Sequence, residues 1–243
     1  MAKAAVIESM FPIMIRVSST QPSITLKKPK QSSLARSSSS LAIRWYVAFI
    51  CIIHYCCLLN QFFLVFFSSK GGLIATRLVQ KYPELFDGLV LDSPFLGIPD
   101  FVPSWQVSIA RFLGQYPYLR DLPISKLDSN LICRDPAVPA SFQADPLCYH
   151  GFTNALFAAA SLEAQHHAMA GANSMTLPIL AMHGDEDKIC PLSETQRLVE
   201  EAGSKDKKMR VFSEGFHILR LEPHNKIQND FYDQLIEWIT EHC

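Results

Sequence analysis

The chain has 243 residues, 49% of them apolar, and 22 basic against 23 acidic side chains give a formal net charge of -1. That length and apolar share suit one domain with a sizeable core, and the near-zero charge excludes nucleic acid as a bulk electrostatic partner. Seven cysteines, an odd number, show no metal or disulfide spacing; those at Cys51, Cys56 and Cys57 sit in an apolar run and read as small hydrophobes, so nothing points to an oxidising compartment.

Residues 1–44 carry Lys3, Arg16, Lys27, Lys28, Lys30, Arg36 and Arg44 against the single acid Glu8, and run through serines to Ser40. This is the composition of a disordered tail or a transit peptide. From Trp45 to Ser69 there is no Asp, Glu, Lys or Arg. That length would span a bilayer, with the basic residues before it keeping the N-terminus cytoplasmic. The same window holds Phe62 to Phe67, which also reads as a strand. If the strand claims those residues, the apolar segment 45–60 is left short of the roughly 20 residues a span requires. The segment predicts membrane association on one reading and sheet on the other, in a protein that is cytoplasmic or membrane-associated.

The run Phe62-Phe63-Leu64-Val65-Phe66-Phe67 ends in Ser68-Ser69-Lys70-Gly71-Gly72. An apolar strand that breaks at a serine and continues as a Gly-rich helix start is the pattern of a nucleophile elbow, Gly-x-Ser-x-Gly. Ser68 is the rival to Ser69. The glycines at +2 and +3 fit Ser69, whereas counting from Ser68 puts Lys70 at the close-approach position. Phe67 stands where the motif has glycine, and its ring is expected to clash with the helix or the next strand.

After the turn, Leu73, Ile74, Leu78 and Val79 recur at helical spacing until Tyr82-Pro83. Gly88 to Asp92 predicts a short buried parallel strand. Residues 94–176 break the alternation, with many prolines, scattered aromatics and an alanine-rich helix over Ala155–Ala170. Ile179 to Met182 predicts the next strand, which delivers His183-Gly184. Ser193 with Gln196 reads as a capping box that opens a helix closed by Gly203. Lys208–Phe212 predicts another strand. Phe231, Leu235, Ile236 and Ile239 line one face of a C-terminal helix. Strand and helix alternate as in a doubly wound α/β sheet.

A serine hydroxyl needs a base to take its proton, and the base needs an orienting acid. His217, in Glu214-Gly215-Phe216-His217, is the candidate base. Asp187, in His183-Gly184-Asp185-Glu186-Asp187, is the candidate acid, with Asp185 as a turn residue and His183 as structural. Serine, then aspartate, then histidine, each after a predicted strand, is the chain order of the α/β-hydrolase arrangement.

Residues 71–98, 144–151, 177–191, 204–217 and 231–242 together resemble the monoacylglycerol lipase-like, or serine aminopeptidase-like, α/β-hydrolases. The resemblance covers nearly all of residues 68–243 and none of 1–60. It implies an α/β-hydrolase domain over 61–243 with a helical cap inserted at about 94–176. It implies a serine hydrolase of carboxylic lipid esters, acting on a monoacylglycerol or lysophospholipid, with no cofactor or metal. Ser69, Asp187 and His217 would be its catalytic triad, and the backbone N–H of Lys70 one oxyanion donor. The other donor would lie on a loop with His-Gly-x-Gly-like text, and none precedes Ser69. With the family's first strands also missing, a second neighbour for the strand ending at Ser69 would have to come from residues 1–60, which offer Ile24 to Leu26, parts of 45–59 and little else, and an unpaired edge that invites aggregation is expected. The alternative is a catalytically inactive, membrane-associated remnant of such a hydrolase.

Overall fold

In the computed structural model the described residues are 14–16, 51–57, 60–223 and 225–242. The apolar run before Ser69 is strand β3, Asn60–Ser68. A strand sends successive side chains to opposite faces. Leu64 and Phe66 therefore join one apolar cluster and Val65 and Phe67 another, all four buried. Both faces are covered, so the sequence runs apolar without alternation.

β3 pairs in parallel with β4, Gly88–Asp92, and β4 in parallel with β7, Ile179–Gly184. β7 in turn pairs in parallel with β8, Lys207–Phe212. On the other side, β2, Cys51–Cys57, pairs antiparallel with β3, with Ile53 opposite Leu64. β1, Met14–Arg16, adds in parallel to β2, and the sheet order is β1-β2-β3-β4-β7-β8. The second neighbour of β3 thus comes from the 45–59 stretch, one of the two sources the sequence offers, and the expectation of an unpaired edge is overturned. Half of the apolar 45–60 segment is itself that neighbour, so it satisfies backbone groups that an edge would leave open. Residues 17–50, including Ile24 to Leu26, lie outside the described residues, as do 1–13. Among the described residues no helix is long and apolar enough to cross a membrane.

One face of the sheet is covered by α1, Lys70–Lys81, with α5, Leu192–Glu201, and the inner end of α4, Ala155–Ala170. The other is covered by α6, Asn225–His242, through Ile227, Phe231, Leu235, Trp238 and Ile239. The phenyl rings of Phe66 and Phe231 meet edge to face at 6.4 Å. Trp238, rather than Ile236, completes the buried stripe of α6. Between β4 and β7 the chain forms α2, Ser104–Gly114, and α3, Ala137–Ala144. A small antiparallel pair, β5, Pro123–Ser125, and β6, Thr153–Asn154, lies apart from the main sheet. These are the residues 94–176 that broke the alternation.

Three local readings need correction. α5 begins one residue before Ser193, behind Pro191, and no side chain caps it, so there is no capping box. Its last turn closes with the Ala202 N–H on the Leu198 carbonyl at 2.9 Å. Gly203 is not left-handed; a side chain there would collide with the Asn173 carbonyl. Finally, Phe67 does not clash. Its ring is fully buried in the core layer under α1, in one apolar cluster with Leu73, Ala75 and Val79 of that helix. Phe67→Ala is therefore expected to cost about 3–5 kcal/mol of unfolding free energy, read from the midpoint of urea denaturation. A stability unchanged by the truncation would mean the ring is not packed as described.

Candidate active site

Ser69 sits between β3 and α1 with φ 53° and ψ -127°. A non-glycine residue rarely holds a positive φ, and such strain persists only where the surroundings over-determine it. Here they do. The Ser69 N–H donates to the Asp92 carbonyl at 3.1 Å, and the Ser69 carbonyl accepts from Gly72 and Phe95 N–H groups at 2.9 Å each. The turn is thereby tied to the end of β4 and to the start of its own helix. The close approach that demands glycine is at Gly72, not at Gly71. A β-carbon on Gly72 would lie 2.6 Å from that of Pro94.

Asp187 and His217 come from the loops after β7 and β8. Gly184 is what lets those loops meet, because a side chain there would run into the Gly215 carbonyl. The Asp187 carboxylate is the focus of the site. Its Oδ1 accepts from the Ile189 and Cys190 N–H groups at 2.7 and 3.0 Å. Its Oδ2 lies 2.8 Å from His217 Nδ1 and 3.2 Å from His183 Nε2. A carboxylate only accepts, so His217 Nδ1 carries the proton and Nε2 keeps its lone pair. Burial pushes the Asp187 carboxyl up, but the two imidazoles outweigh it and hold it below the ordinary aspartate range. Burial pushes His217 down, and the Asp187 carboxylate more than offsets this, raising it well above 6.5.

The other candidates separate from these. His183 is fully buried, with Nδ1 2.9 Å from Thr195 Oγ1 and Nε2 3.1 Å from the Cys190 carbonyl. It braces Asp187 in the way a structural residue would. Asp185 accepts the Glu214 N–H at 2.6 Å and pins the turn before His217. Ser68 points to the other side of the sheet, 3.4 Å from Arg220 Nη1. Lys70 is the first residue of α1, so its N–H lies at the positive end of the helix dipole.

Two features were not read from the sequence. The fully buried Cys190 thiol lies beside the Asp187–His217 pair. Burial pushes that thiol up, and it stays protonated near neutrality. The ligating atoms of Asp187, Cys190 and His217 lie within 4.8 Å of one another. Both Asp187 oxygens are already engaged by four donors, which speaks for a proton network rather than a metal site. The second feature is Arg220, three residues after His217. Its Nη1 lies 2.9 Å from Oδ2 of the fully buried Asp92. The pair bolts the His217 loop to the end of β4, beside the turn that bears Ser69. Burial raises the Asp92 carboxyl, and Arg220 works against that shift.

Residues 60–224 match the family model described as "Serine aminopeptidase, S33". The chain belongs to that family. It is 30% identical over 179 residues to the monoacylglycerol lipase of Mycolicibacterium smegmatis, covering 74% of this chain and 62% of that protein. It is 26% identical over 174 residues to the human monoglyceride lipase, covering 71% of this chain and 56% of that one. This chain thus spans about six tenths of the length of these curated relatives. The crystal structure of Paleococcus ferrophilus monoacylglycerol lipase superposes with a TM-score of 0.67 at 28% identity, covering 74% of this chain and 68% of that one. A soluble variant of the Saccharomyces cerevisiae monoglyceride lipase, in complex with a substrate analog, shares the fold, with a TM-score of 0.63 at 18% identity and coverage of 72% and 60%. The fold is that of an α/β-hydrolase.

Arg220→Ala would strand the Asp92 carboxylate in the interior. Removing one partner of a buried pair is expected to cost about 3–5 kcal/mol, measured by denaturant unfolding. Asp92→Asn combined with Arg220→Ala should recover part of that loss. Equal losses in the single and double variants would show that the charge on Asp92 is not what Arg220 compensates.

Proposed function

We propose that the protein is a serine hydrolase of carboxylic esters, acting on a single-chain lipid ester such as a monoacylglycerol or a lysophospholipid. One observation carries the reading: the buried Asp187–His217 pair, 2.8 Å apart, held at the same end of the sheet as the strained Ser69 turn. The relatives' names supply the ester class. The chain's partial span of those relatives makes substrate and turnover part of the proposal.

In this reading Ser69 Oγ attacks the ester carbonyl while His217 Nε2 takes its proton. Asp187 holds the tautomer and stabilises the imidazolium. The oxyanion forms beside the Lys70 N–H, where the helix dipole favours negative charge. His217 then returns the proton to the departing alcohol, leaving an acyl group on Ser69. Water repeats the steps in reverse order and frees the fatty acid. The protonated Cys190 thiol beside Ser69 and His217 is a weak donor. It adds no competing charge to the imidazole.

A fluorophosphonate probe is expected to label the chain, and Ser69→Ala to abolish both labelling and glycerol release from monooleoylglycerol. Labelling that survives the substitution would remove the assignment of Ser69. Absence of labelling in the parent chain would favour the inactive remnant.

The pH dependence follows from the sign of the His217 shift. The base acts only when neutral, and its pKa is raised. The rate should therefore climb with pH, with a midpoint above the ordinary value of about 6.5. Asp187→Asn should lower that midpoint and cut the rate by about 10⁴-fold, the scale seen when a triad acid is neutralised. A profile flat from mild acid to mild alkali, with chemistry limiting, would exclude His217 as the base.

A further inference from the structure

An apolar groove of about 510 Å³ runs between α1 and α4, on the flank of the domain. One wall is a single face of α1: Leu73, Ile74 and Leu78, with Lys70, Arg77 and Lys81 along it. The other is one face of α4, where Phe157 is followed by Ala160, Ser161 and Ala164, too small to fill the space. Ile74 and Phe157 remain about half exposed at 49% and 48%, so neither helix covers the other here. The distance from Lys70 to Lys81 along α1 is about 17 Å.

The charges on this groove are all of one sign. Its lining contains three cations and no carboxylate. Arg77 donates to Gln80 Oε1 at 2.7 Å and to the His167 carbonyl at 3.3 Å, both neutral. The Lys81 ammonium lies 5.1 Å from the Tyr82 ring, and that of Lys70 lies 4.3 Å from the Phe157 ring. Among the described residues, none of the three forms an ion pair with an acid. Arg77 and Lys81 stand one helical turn apart, where like charges repel. Carbon walls with two adjacent cations at one end, unpaired with acids among the described residues, suit a ligand with an alkyl tail and one anionic head; the single ammonium at the other end, that of Lys70, lies over the Phe157 ring.

We infer that this groove binds a free long-chain fatty acid anion, with its carboxylate on Arg77 and Lys81 and its tail laid along Leu78, Ile74 and Leu73 towards Phe95 and Phe157. The head-group end is set apart from Ser69, while the tail end reaches Lys70 and Phe95 beside it. Arg77 and Lys81 lie two and three turns of α1 beyond the serine. The inference does not rest on the hydrolase reading, because binding can be measured without turnover.

The test uses the full chain carrying Ser69→Ala, titrated calorimetrically with laurate below its micellar concentration. Laurate is expected to bind at least tenfold more tightly than dodecanol or dodecyltrimethylammonium. Shortening the acid from laurate to decanoate should weaken binding by about tenfold, the effect of two buried methylenes. The double variant Arg77→Gln with Lys81→Gln should lose at least tenfold in laurate affinity while its dodecanol affinity stays unchanged. Arg77→Lys should retain most of the laurate affinity. Loss of hydrolase activity in an otherwise intact Ser69 chain would leave these expectations untouched, so the two readings fail separately. The inference is overturned if laurate does not bind. It is overturned equally if the double variant binds laurate as the parent does, or if the cationic amphiphile binds as tightly. Capture by phosphatidylglycerol vesicles without binding of monomeric laurate would assign the patch to a bilayer surface and overturn it too.

Discussion

The Asp187 carboxylate is the point on which the candidate site of this molecule depends. Four protons converge on it: two from the backbone of its own loop, one from the imidazole of His183 on β7 and one from that of His217 in the loop after β8. A buried carboxylate is costly unless its lone pairs are met. The backbone donors fold the loop after β7 into a single conformation, and the imidazoles fix which histidine it faces. Orientation of His217, its tautomer and its elevated basicity all follow from one solved desolvation problem.

A second buried charge repeats the logic a few residues away. Asp92 ends β4, and Arg220 reaches it from the turn after His217. Asp187 orients the base from one side, and Arg220 anchors its loop from the other. One Asp92 oxygen and the Ser93 hydroxyl are buried without a protein partner among the described residues. Ser93 also has a positive φ of 46°. Two strained serines, Ser69 and Ser93, thus terminate neighbouring strands, joined by the hydrogen bond from Ser69 to the Asp92 carbonyl. The turn after β4 is as constrained as the elbow it supports.

What the sequence disclosed was local. β4 was legible because its five residues are short, apolar and bounded by turn chemistry, and α4 because alanine carries high helix propensity. The order of Ser69, Asp187 and His217 was legible because each follows a strand. The Arg220–Asp92 pair was not, since 128 residues separate its members and neither sits in a motif. Cys190 lies in plain view after Lys188-Ile189, yet composition alone makes it one more small hydrophobe. Only the fold brings its sulfur beside the Asp187–His217 pair. The misreadings at Phe67, Ser193 and Gly203 share a cause. Each was judged against the geometry of an idealised motif, whereas tertiary neighbours decided the outcome.

The polarity of β2 has a consequence for how the catalytic edge is bounded. β2 runs opposite to β3, with Cys51 beside Phe66 and Cys57 beside Asn60. The short connection between the two strands therefore lies at the far end of the sheet from Ser69. The chain enters β2, rather than leaves it, at the end where Ser69 stands. Had β2 been parallel to β3, the loop following it would border the elbow. Lengthening the β2–β3 connection would therefore alter the opposite end of the sheet and leave the surroundings of Ser69 as they are.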